Sequence, residues 1–178
     1  MRRYLTFWNV LGALVLLLGL FAYFYSSPGR QSSVVNLPQD VELPLEPREV
    51  ELRLYFAKPD ASAFLVERRT VTLEPGETVY QRALEELVKG PERSGAPLVP
   101  EGTPAPTVFV RDRVAYVDLP GDYARLGYGT TGETLLVYGM AYTLLDLKPI
   151  EEVRYLLKGE PAVTLGHLSL VEPIRRRR

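Results

Sequence analysis

Hydrophobic and polar positions follow three regimes along the chain. From Tyr4 to Tyr25 no charged side chain interrupts the run, and Arg2 and Arg3 precede it directly. At about 1.5 Å per helical residue this stretch reaches roughly 33 Å, enough to cross a hydrocarbon core of about 30 Å. Residues 1–25 therefore predict an N-terminal membrane anchor helix. Tyr4 and Trp8 at its start and Phe21 and Tyr25 at its end suit the two headgroup layers, where amphipathic rings settle. The arginines before the span favour a cytoplasmic N-terminus, which sends residues 26–178 outside. A cleaved signal peptide is the competing reading, although its apolar core is usually only about 7 to 15 residues long. A buried helix of a soluble protein is the third.

The second regime, residues 26–47, has no sustained apolar period and carries Pro28, Pro38, Pro44 and Pro47. It predicts a semi-extended extracytoplasmic linker, with a reach of up to roughly 70 Å at about 3.1 Å per residue in polyproline geometry.

In the third regime the periods of strand and helix alternate. Val50, Leu52, Leu54 and Phe56 fall on one face of a strand, and Phe64 to Leu73 follows a Lys58-Pro59-Asp60 turn as its hairpin partner. Thr78-Val79-Tyr80-Gln81 reads as a capping box opening a helix stopped by Gly90-Pro91. Val79, Ala83, Leu84, Leu87 and Val88 lie on one side of it. Arg82 with Glu86 and Glu85 with Lys89 are expected as solvated ion pairs on the other. Strands at Val108–Val110 and Val114–Leu119 flank a tight Arg111-Asp112-Arg113 connection. Thr130 to Glu133 predicts a second capping box, with Glu133 as its acid, and the helix behind it is apolar around most of its circumference. Val153–Leu157 gives a further strand, and a weaker extended piece runs from Leu165 to Val171.

The predicted order is ββαββαβ, an α+β fold in which a mixed sheet carries two helices mainly on one face. The domain occupies residues 48–174, and residues 175–178 form a basic tail.

Charge narrows the partners. The chain has 21 basic and 22 acidic residues, but without Arg2, Arg3 and Arg175–Arg178 the remainder holds 15 basic against 22 acidic, about −7. Such a body repels phosphate backbones, so no nucleic-acid partner is expected. The absence of cysteine removes disulfides, thiol nucleophiles and cysteine metal sites. His167, the single histidine, leaves no multi-histidine metal site and reads as structural or exposed. No metal and no cofactor are expected.

Two sets of residues could carry chemistry. Asp118, Asp122, Glu133 and Asp146 could supply the carboxylate pair of a glycoside hydrolase, but nothing in the spacing brings two together. Tyr123, Arg125 and Tyr128 lie in the loop from Gly121 to Gly132 and form the candidate interaction loop for a sugar, a peptide or a protein. Tyrosines folded back over the core are the competing reading. The Arg175–Arg178 end could meet anionic headgroups or wall polymers, or be a solvated tail.

An ordered series of short segments carries a family resemblance: Val50–Phe56, Leu65-Val66-Glu67-Arg68-Arg69, Ala83 to Pro91, Val99-Pro100-Glu101-Gly102-Thr103, Ala115 to Leu119, Thr143-Leu144 and Val153 to Gly159. In this order they resemble the GerMN domain of sporulation and spore germination proteins over about 120 residues. The resemblance implies an α+β domain displayed outside the cytoplasmic membrane with no established catalytic residues. It also implies an envelope setting linked to sporulation, germination or wall processes, although the lipid-carrying cysteine of the lipoprotein members is missing here. The expectation is a single-pass membrane protein acting as a non-enzymatic interaction or scaffold module. Its expected partners are the bilayer, an unidentified envelope protein, wall glycan and a second copy of the chain. The alternative is a protein that binds or hydrolyses wall glycan.

Overall fold

In the structure, a computed structural model, residues 16–18 and 43–176 are described. The chain separates into two units, Met1–Leu37 and Pro38–Arg178. Of the first, only the helical segment 16–18 is described, so Tyr4, Trp8, Phe21 and Tyr25 lie outside the described residues, as do residues 26–42 of the expected linker. No helix among the described residues is long and apolar enough to cross a membrane.

In the second unit, strict alternation builds β1 (Arg48–Ala57), with Leu52, Leu54 and Phe56 fully buried. It pairs antiparallel with β2 (Phe64–Leu73), in register from Arg48 opposite Leu73 to Ala57 opposite Phe64. Helix α1 (Val79–Lys89) starts where Thr78 Oγ1 accepts the Gln81 amide at 3.1 Å. The reciprocal half of the expected capping box is not made. Instead the Gln81 side chain bonds the edge of the next strand, accepting from Val108 N at 3.0 Å and donating to the Pro106 carbonyl at 3.2 Å.

Strands β3 (Thr107–Arg111) and β4 (Val114–Leu119) form a hairpin closed by two residues, Asp112 and Arg113, both at positive φ. That is the turn geometry that matches strand twist. A single 3-10 turn (Tyr123–Arg125) leads to α2 (Thr130–Leu145), which crosses over to β5 (Glu152–Leu157), parallel to β4. Short strands β6 (Glu160–Pro161) and β7 (Ile174–Arg175) both pair with β5.

The α+β class holds, but the strands form two sheets where one mixed sheet was expected: the β1–β2 hairpin and a five-stranded sheet in the order β3-β4-β5-β6 with β7 beside β5. The free edge of β1 explains the break, because α2 occupies it. Tyr55 N donates to Thr143 Oγ1 at 3.2 Å, and Ala96 N donates to the Ala57 carbonyl at 2.7 Å. Gly139 permits this approach, since a Cβ there would sit 2.9 Å from the Tyr55 carbonyl oxygen and 2.5 Å from Leu98 Cδ1.

Leu52, Leu54 and Phe56 of β1, Leu84 and Leu87 of α1, Leu136, Met140 and Leu144 of α2, and Val117 and Val153 of the second sheet join in one core. Each such side chain contributes about 1.5 to 3 kcal/mol by leaving water. The extended piece expected from Leu165 to Val171 amounts to one isolated bridge, Thr164 with Ser169. The basic end begins inside the fold: Arg175 belongs to β7 and holds Glu152 at 2.6 and 2.7 Å, while Arg176 pairs with Asp146.

Candidate functional site

The loop singled out from the sequence turns its rings inward. Tyr123 is buried and donates to the Pro104 carbonyl at 3.1 Å, and Tyr128, half-buried, donates to the Leu98 carbonyl at 3.0 Å. Burial pushes both phenols above their ordinary value. The two rings are struts beneath the proline-rich segment that follows α1. Arg125 stands outward, paired with Asp122.

The four candidate acids are spread over separate duties. Asp118 Oδ1 accepts the Gly159 amide at 2.8 Å. Asp122 holds Arg125. Asp146 accepts the Tyr55 hydroxyl at 2.8 Å and pairs with Arg53 at 3.1 Å as well as with Arg176.

Glu133 is not a capping-box acid. Gly129 caps α2 without any side-chain bond, and Glu133, only 3% exposed, reaches a segment more than thirty residues away. Its carboxylate accepts amides from Leu165 at 3.2 Å, His167 at 2.8 Å and Leu168 at 3.0 Å, with His167 Nδ1 at 3.2 Å. Burial pushes the Glu133 carboxyl up, but these bonds outweigh it and hold the group below the usual carboxylate range. Such a group stays ionised at neutral pH, the opposite of a general acid.

The structure also brings together a charge cluster in which Glu86 and Lys89 are the members expected in solvent. The inner face of β2 carries Glu67 and Arg69, both buried. Arg69 binds Glu67 at 2.6 Å and Glu86 at 2.9 Å, and its guanidinium also donates to the carbonyls of Glu86 and Gly90 at 3.2 and 3.0 Å. Glu86 is therefore buried, and Lys89 pairs with it at 2.6 Å where Glu85 was expected. Among the described residues no group of three His, Asp or Glu side chains could hold a metal ion.

A surface missed from the sequence lies on α2. Tyr138 and Tyr142, one turn apart, have ring centroids 5.6 Å from each other, and Tyr142 continues to Phe64 at 5.6 Å and Tyr55 at 5.7 Å. Beside these half-buried rings runs a groove of about 470 Å³, bounded by Phe64, Tyr138, Tyr142, Leu168, Glu172 and Ile174. Among the described residues, the hydroxyls of Tyr55, Tyr80, Tyr123, Tyr128 and Tyr155 are all spent on internal bonds. Those of Tyr138 and Tyr142 are not. The i, i+4 spacing of these two tyrosines was the available signal.

Comparison with curated proteins gives no match. Among solved structures, the tandem GerMN domains of the sporulation protein GerM from Bacillus subtilis align with a TM-score of 0.57 and 22% identity, over 72% of this chain and 47% of that one. The first GerMN domain of the same protein aligns at 0.53 and 23%, over 70% and 93%. A protein assigned as a lipoprotein from Clostridium perfringens aligns at 0.50 and 18%, over 76% and 92%. At these identities the likeness establishes the fold. The Germane family model, described as sporulation and spore germination, matches residues 53–163, more than half of the sequence and nearly all of the elements above, so the chain belongs to the Germane, or GerMN-domain, family.

Proposed function

We propose that this chain is a membrane-tethered, extracytoplasmic module of the cell envelope that acts by binding another envelope protein, without catalysis, in a process linked to sporulation or germination. The aromatic group on α2 carries this reading. Tyr138 and Tyr142 present amphipathic rings with uncommitted hydroxyls beside a groove, the kind of side chain that dominates protein interfaces. The candidate catalytic acids, in contrast, are each bonded to a different backbone segment or arginine. Family membership and the alignment with a lipoprotein favour the envelope setting. The uncharged run from Tyr4 to Tyr25 favours the tether. Confinement to a membrane raises the effective concentration of neighbours, so modest contacts suffice to assemble a complex.

Three experiments test the reading. Protease added to intact spheroplasts should digest residues 48–178, and protection of that region would contradict the orientation. Crosslinking in cells should give a specific protein adduct that is lost in a Tyr138→Ala, Tyr142→Ala variant. Hydrolysis of wall glycan by the purified chain, abolished by Asp118→Asn without unfolding, would overturn the non-catalytic assignment.

A further inference from the structure

The second sheet has one face in the core and one whose residues are half-buried or exposed. Val108, Val110, Ala115, Val117, Leu119, Val153 and Tyr155 point into the core, and the alternate positions of β3, β4 and β5 point away from both helices. On that outer face the register places Phe109 opposite Tyr116 and Tyr116 opposite Arg154, one straight row across three strands. With strands about 4.8 Å apart, the row spans roughly 10 Å. Two half-buried rings thus lie side by side with a guanidinium at the end. The flanking rows are Thr107, Asp118 and Leu156 on one side and Arg111, Val114 and Glu152 on the other.

Charge on this face is uneven in a specific way. Glu152 is neutralised by Arg175, and Asp118 has one oxygen engaged by the Gly159 amide. Arg154, exposed, makes no ion pair and no hydrogen bond among the described residues. The central row therefore carries one charge, and it is cationic, while Asp118 in the neighbouring row keeps its negative charge. Tyr116 likewise keeps its hydroxyl free of internal partners among the described residues.

We infer that the Phe109–Tyr116–Arg154 row is a binding site for a carboxylate-bearing glycan. The C–H face of a pyranose ring is apolar and flat, and packs on an aromatic ring held rigid by its strand. A carboxylate on that sugar, or on the next, meets the Arg154 guanidinium in a charge-assisted, bidentate geometry. The Tyr116 and Thr107 hydroxyls and the remaining Asp118 oxygen supply partners for sugar hydroxyls.

The same surface disfavours the other ligand classes. An extended peptide gains most by adding to a free strand edge, but Gln81 already bonds the outer edge of β3 at Val108 and Pro106. Nucleic acid requires many phosphate contacts, and the one unpaired arginine in this row does not provide them.

The test uses the full chain in detergent micelles and isothermal titration with oligogalacturonate, whose every ring carries a carboxylate, against its methyl-esterified form. Oligogalacturonate should bind at least tenfold more tightly than the ester. Arg154→Gln should bring its affinity down to that of the ester, and Tyr116→Ala should weaken both about tenfold. Arg93→Gln, the loss of another arginine with no ion pair among the described residues, should change neither. Absence of binding, affinity indifferent to Arg154→Gln, or an equal loss in Arg93→Gln would overturn the site. So would a poly-glutamate peptide that binds as tightly with the same dependence on Arg154 and Tyr116, since the ligand class would then be peptide. Failure here leaves the protein interface on α2 untouched, because that interface is read out at Tyr138 and Tyr142.

Discussion

Arg69 grips Glu86 twice, at the carboxylate (2.9 Å) and at the main-chain carbonyl (3.2 Å), reaching from β2 into the last turn of α1. A third bond, to the Gly90 carbonyl, ends the helix, and Glu67 collects the amides of Glu92 and Arg93 just beyond. The ion pairs thus set where the chain leaves α1 as well as joining hairpin to helix. Removing one partner of a buried pair leaves the others uncompensated, at a cost of about 3 to 5 kcal/mol. Arg69→Met is expected to lower the unfolding free energy of the full chain, read from urea titration, by that much. A change under 1 kcal/mol, the scale of exposed pairs, would show the cluster to be solvated.

The pH dependence follows from two depressed carboxyls. At Glu86, burial raises the pKa, but hydrogen bonds from Lys89 and Arg69 and the charges around it outweigh that and lower it from the usual 4.5; Glu133 is lowered from the same value by its amide bonds. Groups of this kind contribute stability above their unfolded pKa and lose it as pH falls through the folded one. Stability should therefore hold near neutrality and drop below about pH 4.5. Glu133→Gln should cost about 1 to 3 kcal/mol at pH 7 and flatten part of the acid loss. Hydrogen exchange should quicken at Leu165, His167 and Leu168, and unchanged exchange there would contradict the role of Glu133 as their anchor.

Close packing of α2 on β1 makes Gly139 sensitive. Its Cβ would meet a backbone oxygen at 2.9 Å, and overpacking of this kind costs about 1 to 3 kcal/mol. Leu144→Ala, at a fully buried position, should cost about 2 to 5 kcal/mol through the cavity it leaves. Thermal unfolding of both variants checks the pair. A neutral Gly139→Ala would mean that the helix can lift off the strand freely.

What the sequence made legible, and what it hid, divides along the range of the physics. The bounds of β2 and the buried stripe of β1 follow from periodicity, and the burial of Leu136, Met140 and Leu144 follows from a helix that is apolar nearly all round, both local properties. Glu67 and Arg69 obey the same period, yet their charge reads as solvent-facing. Glu86, seventeen residues on from Arg69, is a partner that the local pattern does not show. Glu133 satisfies the local pattern of a capping box, and no local rule reveals that the amides of residues 165–168 compete for it. The division into two sheets depends on which element occupies the free edge of β1, and Thr143 and Ala96 decide that from 88 and 39 residues away. For the candidate loop the sequence leaves two readings open, a binding surface and tyrosines folded over the core, and the carbonyls of Pro104 and Leu98 on the segment after α1 draw both rings inward.

The most direct test of the interaction-module assignment places a photo-crosslinking amino acid at Tyr138 in the full chain in cells, with the same residue at Glu74, exposed in the turn after β2, as comparison. Irradiation is expected to give one discrete protein adduct from position 138 and none from position 74. No adduct at 138, or the same adducts from both positions, would contradict a protein interface on α2.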